Sequence, residues 1–256
     1  SSSNIIERQE AFKHVILFSS FLISLVGLLV LLFMNTKEDI KSENMSSINS
    51  IKKIKVILKL QSVWLLMIII MSAYVGYKIT DIYSLYAFDI MFYDQVKAAE
   101  IGSLQLYLRP IVCVLVGLLA DRTNSSSWII VGFVIMLFGA SIFAVGIINS
   151  EMNFVFFLSL IIVAVGTYAA RALYYAIFQE GNIPIGMMGT AVGVISVVGY
   201  MPDIFASPIM GYFLDNYPGA LGYQYVFSML IVFSLFGLIA SIKFAKISKK
   251  TFKLIV

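Results

Sequence analysis

The chain has one cysteine, Cys113, and one histidine, His14. A lone cysteine excludes an internal disulfide framework and a cysteine-based zinc site. A lone histidine excludes an imidazole cluster, so thiolate or imidazole enzyme chemistry has no foundation here. No cofactor, no metal and no catalytic role are expected. Charge is also scarce: 12% of the 256 residues are Asp, Glu, Lys or Arg, against 60% hydrophobic. A globular domain of this length needs a charged exterior, and these residues are too few to make one.

What is abundant is uninterrupted apolar sequence, with a mean hydropathy of +0.94. The apolar blocks fall at 12–34, 60–88, 98–120, 127–148, 154–178, 187–213 and 223–243. Each matches the roughly 20 residues that cross a hydrocarbon core as a helix. Unpaired backbone groups are costly in lipid, and these blocks are too long and too uniform for barrel strands, so each span is helical. The expected fold class is an all-α polytopic bundle of seven spans, with the lipid bilayer as its first partner.

The formal charge of +4 does not point to nucleic acid, because the basic residues are sorted by side. Lys37, Lys41, Lys52, Lys53, Lys55 and Lys59 lie between the first two spans. Arg122 lies after the third, and Lys243, Lys246, Lys249, Lys250 and Lys253 close the chain. The opposite loops and the N-terminal segment carry only Arg8, Lys13 and Lys97. The positive-inside rule then predicts a cytoplasmic C-terminus.

The segment KSENMSSINS at 41–50 reads as a linker, and the lysines and isoleucines of 51–59 as an interfacial helix. The later loops are short. This spacing divides the chain into a first helix (1–34), a central loop (35–59) and a six-helix unit (60–256). Within the six, the third span of the chain ends Gly117-Leu118-Leu119-Ala120-Asp121 and the sixth ends Gly211-Tyr212-Phe213-Leu214-Asp215. They are the middle helices of two successive triplets, the arrangement expected of an inverted-topology repeat. The opening Ser1-Ser2-Ser3, without an initiating methionine, reads as the start of a fragment.

Polar residues inside spans are expensive and generally face a cavity or a partner. Lys78 and Asp81 are three apart, on one side of a helix, and either neutralise each other or face a cavity. Tyr74 shares that side. Arg109 lies mid-span, beyond easy snorkelling reach of either interface, beside the kink-prone Pro110. Arg171 follows Gly166, Thr167, Ala169 and Ala170, which make the helix slim there, and either binds a solute or forms a gate with Glu180. Asp203 follows Pro202 and is a proton-coupling carboxylate or an ion-pair partner of Arg109 or Lys78. Gly189, Gly193 and Ser196 read as a helix-packing face; no P-loop lysine follows them.

Gly117, Asp121 and Arg122 match the Gly-x-x-x-Asp-Arg-x-Gly-Arg-Arg/Lys loop of the major facilitator superfamily, with Asn124, Ser125 and Ser126 in place of its second glycine and following basic residues. The chain resembles the C-terminal half of such a transporter, with the sixth helix of the first half attached. Stretches 171–184 and 189–215 look similar to bacterial members that carry organic anions or sugar phosphates. The resemblance implies secondary transport by alternating access in a bacterial inner membrane. It implies N-terminal helices beyond this chain and a gating role for Gly117, Asp121 and Arg122. It also implies a small, anionic solute, with protons or a second anion as co-carrier. On that basis Lys78, Arg109, Arg171 and Tyr74 are the expected substrate-binding residues, and Asp81, Asp203 and Glu180 the coupling or ion-pair set. The competing reading is a seven-helix receptor or a structural membrane subunit. Against the receptor, the sequence has no Asp-Arg-Tyr after the third span and no Asn-Pro-x-x-Tyr in the seventh.

Overall fold

The computed structural model describes residues 2–33 and 50–255. Residues 34–49, most of the expected central loop with Lys37 and Lys41, lie outside them. So do the side chains of Arg8, Lys249, Lys250 and Lys253. The chain divides into two units, Ser1–Ile48 and Asn49–Val256.

The described helix of the first unit is α1 (Ser2–Phe33), apolar over Phe12–Phe33. The second begins with the short α2 (Ser50–Ile57). It continues through α3 (Gln61–Ile79), a 3₁₀ turn (Thr80–Ile82) and α4 (Tyr83–Asp89), which together form one span. Then come α5 (Gln95–Asp121), α6 (Ser125–Val145), α7 (Asn153–Leu173) and the four-residue α8 (Ile177–Glu180). The next span is made of a 3₁₀ turn (Ile185–Met187), α9 (Met188–Gly199) and α10 (Pro202–Asn216). The last helix is α11 (Ala220–Ile255). Seven stretches are long and apolar enough to cross a membrane, and among the described residues there is no strand. The expected all-α polytopic bundle is therefore what the chain forms.

The span boundaries differ mainly where a helix breaks. The fifth span was expected to reach residue 178, but α7 stops at Leu173 and Tyr174–Ala176 turn before α8. The sixth span is interrupted at Tyr200–Met201, where Pro202 begins a new helix. A proline has no N–H to continue the ladder, but it is well suited to a first turn. Pro110 and Pro208, by contrast, sit inside helices that run on past them.

The tightest packing joins α6 and α7. A Cβ placed on Gly166 would lie 2.5 Å from the backbone nitrogen of Met136 and 2.7 Å from the carbonyl oxygen of Gly132. Only hydrogen fits there, so the slim stretch before Arg171 brings two backbones together. At the end of the bundle where α5 begins, aromatic rings fill the core. Phe143 stacks on Phe227 at 4.3 Å between ring centres, and Tyr86 stacks on Phe156 at 5.6 Å. Tyr223 ties this cluster across to α4 by donating to Asp89 Oδ2 at 2.6 Å. The Asp94 carboxylate caps α5, accepting from the amides of Val96 and Lys97.

The expected packing role of the Gly189–Gly193 face is not fulfilled within this unit. A Cβ on either glycine would meet nothing within 4 Å. The glycine of this span that does pack is Gly199, whose Cβ would fall 2.5 Å from Ile70 Cγ2. Gly199 is the last residue of α9, just before the chain turns into Pro202.

Candidate functional site

Four spans place polar side chains together on one side of the second unit, from half-buried Lys78, Arg109 and Arg171 out to exposed Tyr175 and Asp203. α3 contributes Tyr74, Tyr77 and Lys78; α5 contributes Arg109 and Cys113; α7 and the turn after it contribute Tyr168, Arg171, Tyr174 and Tyr175. The break between α9 and α10 contributes Tyr200 and Asp203. The two helix interruptions matter for the site. They turn Tyr174 and Tyr175 toward Tyr200, and they set Asp203 in the first turn of α10.

Lys78 Nζ lies 3.1 Å from Asp203 Oδ1, and Tyr74 donates its hydroxyl to Asp203 Oδ2 at 2.9 Å. Both carboxylate oxygens are thus engaged by α3. This contact corrects the local pairing of Lys78 with Asp81. The α-helix ends at Ile79, and the 3₁₀ turn carries Asp81 to a different cavity beside Ser84, Phe88 and Gln95. Helical spacing between Lys78 and Asp81 assumed a continuous α-helix, and the turn removes that assumption.

Arg171 lies over the Tyr77 ring, 3.6 Å from its centre, and 5.1 Å from the Tyr74 ring. Arg109 approaches Tyr77 from 5.3 Å. One tyrosine therefore faces two guanidinium groups. A cation over an aromatic face gains about 0.5–2 kcal/mol, which offsets part of the cost of half-burying Arg171 in the last turn of α7. The offset is incomplete: Arg171 Nη1 is buried and has no hydrogen-bond partner. An unsatisfied buried donor costs about 1–3 kcal/mol, more when charged.

Glu180 does not serve Arg171. It accepts a hydrogen bond from the backbone N–H of Ser125 at 3.0 Å, so it holds the start of α6. The loop residues Gly117, Asp121 and Arg122 finish α5; Asp121 and Arg122 are exposed, and a Cβ on Gly117 would meet nothing within 4 Å. They stand apart from the Arg109–Arg171 cluster.

A cavity of about 220 Å³ opens between α5 and α7, lined by Arg109, Cys113, Tyr168, Arg171, Ala172 and Tyr174. Behind it Tyr168 donates to Gln105 Oε1 at 3.3 Å, and Gln105 Nε2 is a second buried donor without a partner. Lys78, Arg109 and Arg171 are all half-buried. The cavity is small and cationic, lined by two guanidinium groups and two phenols. Its chemistry suits a group with several acceptor oxygens and negative charge. Among the described residues, no group of three or more His, Cys, Asp or Glu could hold a metal.

Tyr77 stands out in the sequence only as a neighbour of Lys78, and Tyr168, Tyr174, Tyr175, Tyr200 and Gln105 were not singled out. The pair Tyr174-Tyr175 beside Arg171 and the Gly199-Tyr200-Met201-Pro202 break were the available signals.

No family model matches the chain. It is similar to two curated proteins of Escherichia coli strain K12. Inner membrane protein YqcE is 27% identical over 223 residues, covering 85% of this chain and 52% of that protein. Inner membrane protein YihN is 24% identical over 243 residues, covering 92% of this chain and 57% of that protein. The chain spans about half the length of the curated relatives it matches. It is a polytopic membrane protein related at low identity to bacterial inner-membrane proteins.

Proposed function

We propose that this chain supplies the second half of a secondary transporter of the major facilitator type, moving a small organic or phosphorylated anion by alternating access. The observation that carries the reading is Arg171: a cation set on Tyr77, with a buried N–H that lacks an acceptor, at the wall of a cavity shared with Arg109. An incoming oxyanion supplies the missing acceptor. Arg109 and Arg171 bind it, the phenols of Tyr168 and Tyr174 fix its orientation, and Lys78 is held ready by Asp203 and Tyr74.

In this reading 60–256 is the transport domain, built from two inverted triplets, and 1–34 is the last helix of a preceding half. The sequence likeness to inner-membrane proteins and the sorting of lysines support an inner-membrane location with the C-terminus in the cytoplasm. Asp203 acts first as the ion-pair partner of Lys78, and the open Gly189–Gly193 and Gly117 faces suit contact with the other half of a longer protein. Gly117, Asp121 and Arg122 act at the gate between halves rather than on the solute.

The test is uptake by the full-length protein in proteoliposomes, with a panel of carboxylates, phosphate monoesters and neutral sugars, with and without a pH gradient. Uptake of an anion, lost in Arg171→Gln, is expected. Uptake of neutral solutes alone would overturn the anion assignment, and a stable assembly that moves no solute would favour the structural-subunit reading.

A further inference from the structure

Away from the polar cluster, α3 and α11 run antiparallel and leave a groove of about 320 Å³ on the surface of the unit. Its walls are apolar: Leu65, Ile68 and Met71 on one side, Phe236 and Ile239 on the other. The one charged side chain lining it is Lys243. Leu66 and Phe244 both approach Gly181, so Lys243 stands at the end of the groove where α3 begins. Lys243 is exposed and, among the described residues, has no ion-pair partner.

That end of the bundle has the character of a membrane interface. Both tryptophans of the chain, Trp64 and Trp128, lie in the first turns of helices that start there. Each indole N–H is satisfied locally, Trp64 on the Leu58 carbonyl and Trp128 on Thr123 Oγ1. Indole rings anchored in this way mark the headgroup level. The exposed Lys52 and Lys55 of α2, with Lys59, lie just before α3 at the same end. α2 is anchored to the bundle through the fully buried Ile57, so its lysines are held near this level.

We propose that the α3–α11 groove binds an anionic phospholipid, with one acyl chain along Leu65–Met71 and Phe236–Ile239 and the headgroup phosphate at Lys243. The apolar walls are at acyl-chain depth, and a single unpaired cation closes the groove at headgroup depth. A zwitterionic lipid fits the same walls but leaves no net charge for Lys243. A basic residue at an anionic surface favours the anionic lipid by about fivefold. The site is independent of what the protein transports.

The experiment uses the full-length protein, purified in detergent and exchanged with dioleoyl phosphatidylglycerol or dioleoyl phosphatidylcholine. Retained lipid is counted by native mass spectrometry. Wild type is expected to retain phosphatidylglycerol about fivefold over phosphatidylcholine. Lys243→Gln should abolish that preference while keeping the phosphatidylcholine level. Lys246→Gln, one turn on and outside the groove lining, should leave the preference intact. Ala240→Phe, which fills the groove, should reduce retention of both lipids. Equal retention by wild type, or a preference unchanged in Lys243→Gln, overturns the proposal. So does a wild-type protein that retains neither lipid, because another protein segment then occupies the groove.

Discussion

Replacing Gly166 with alanine should separate α6 from α7, and the structure sets the size of the effect. The new Cβ would sit 2.5 Å from Met136 N, 2.7 Å from Gly132 O and 2.8 Å from Met136 Cα. All three are backbone atoms, so no rotamer change relieves them and one whole helix must move. Overpacking of this kind costs about 1–3 kcal/mol, and rigid neighbours put Gly166 at the upper end. The gain in helix propensity from glycine to alanine returns about 1 kcal/mol. The net loss is about 2 kcal/mol, or roughly 4–8 °C in Tm for a unit of this size. Gly139→Ala should cost less, because its closest obstacles are the Cγ2 atoms of Val163 and Ile162, although Val163 N stands at 3.0 Å. Gly132→Ala should cost less again, since its nearest contacts are 3.1 Å away. The assay is heating in detergent, followed by gel filtration to measure the surviving monodisperse fraction. Equal stability of Gly166→Ala and wild type, or an inverted order among the three glycines, would refute the close-packing account.

Three further expectations follow from single contacts. Tyr77→Leu removes the ring faced by both Arg171 and Arg109 and should reduce anion uptake, whereas Tyr77→Phe keeps the π face and should retain most of it; equal loss in both would point to the hydroxyl instead. Lys78→Gln and Asp203→Asn should be non-additive, the double variant losing less thermal stability than the two single losses together, because each single change strands its partner. Glu180→Ala removes the acceptor for the Ser125 N–H and should lower stability by about 1 kcal/mol, with Glu180→Gln recovering most of it in the same heating assay.

The spans were legible because composition alone decides them: seven apolar runs of crossing length have one physical solution in lipid. The convergence of Lys78, Arg109, Arg171 and Asp203 was partly legible, since charges in a span must turn inward. Of their partners, Asp203 for Lys78 was one of the pairings the sequence offered, and the structure forms it; the others were not legible. Local spacing offered Asp81 to Lys78 and Glu180 to Arg171, but the 3₁₀ turn after Ile79 and the turn after Leu173 redirect both carboxylates. The tyrosines were hidden for another reason. In an apolar run a tyrosine reads as bulk, and only the fold shows that Tyr77 is the shared face for two arginines. The Gly189–Gly193 stripe shows the reverse failure, a strong packing signal that this unit leaves uncovered.

Cys113 lies on the wall of the Arg109–Arg171 cavity, so its reactivity reads out directly whether that cavity attracts an anion. Full-length protein is treated with anionic or cationic methanethiosulfonate reagents of similar size, and the Cys113 peptide is quantified by mass spectrometry. The anionic reagent should react faster at Cys113, an added transported anion should slow it, and Arg109→Gln with Arg171→Gln should abolish the preference. Equal or faster reaction of the cationic reagent in the wild type would contradict the anion assignment.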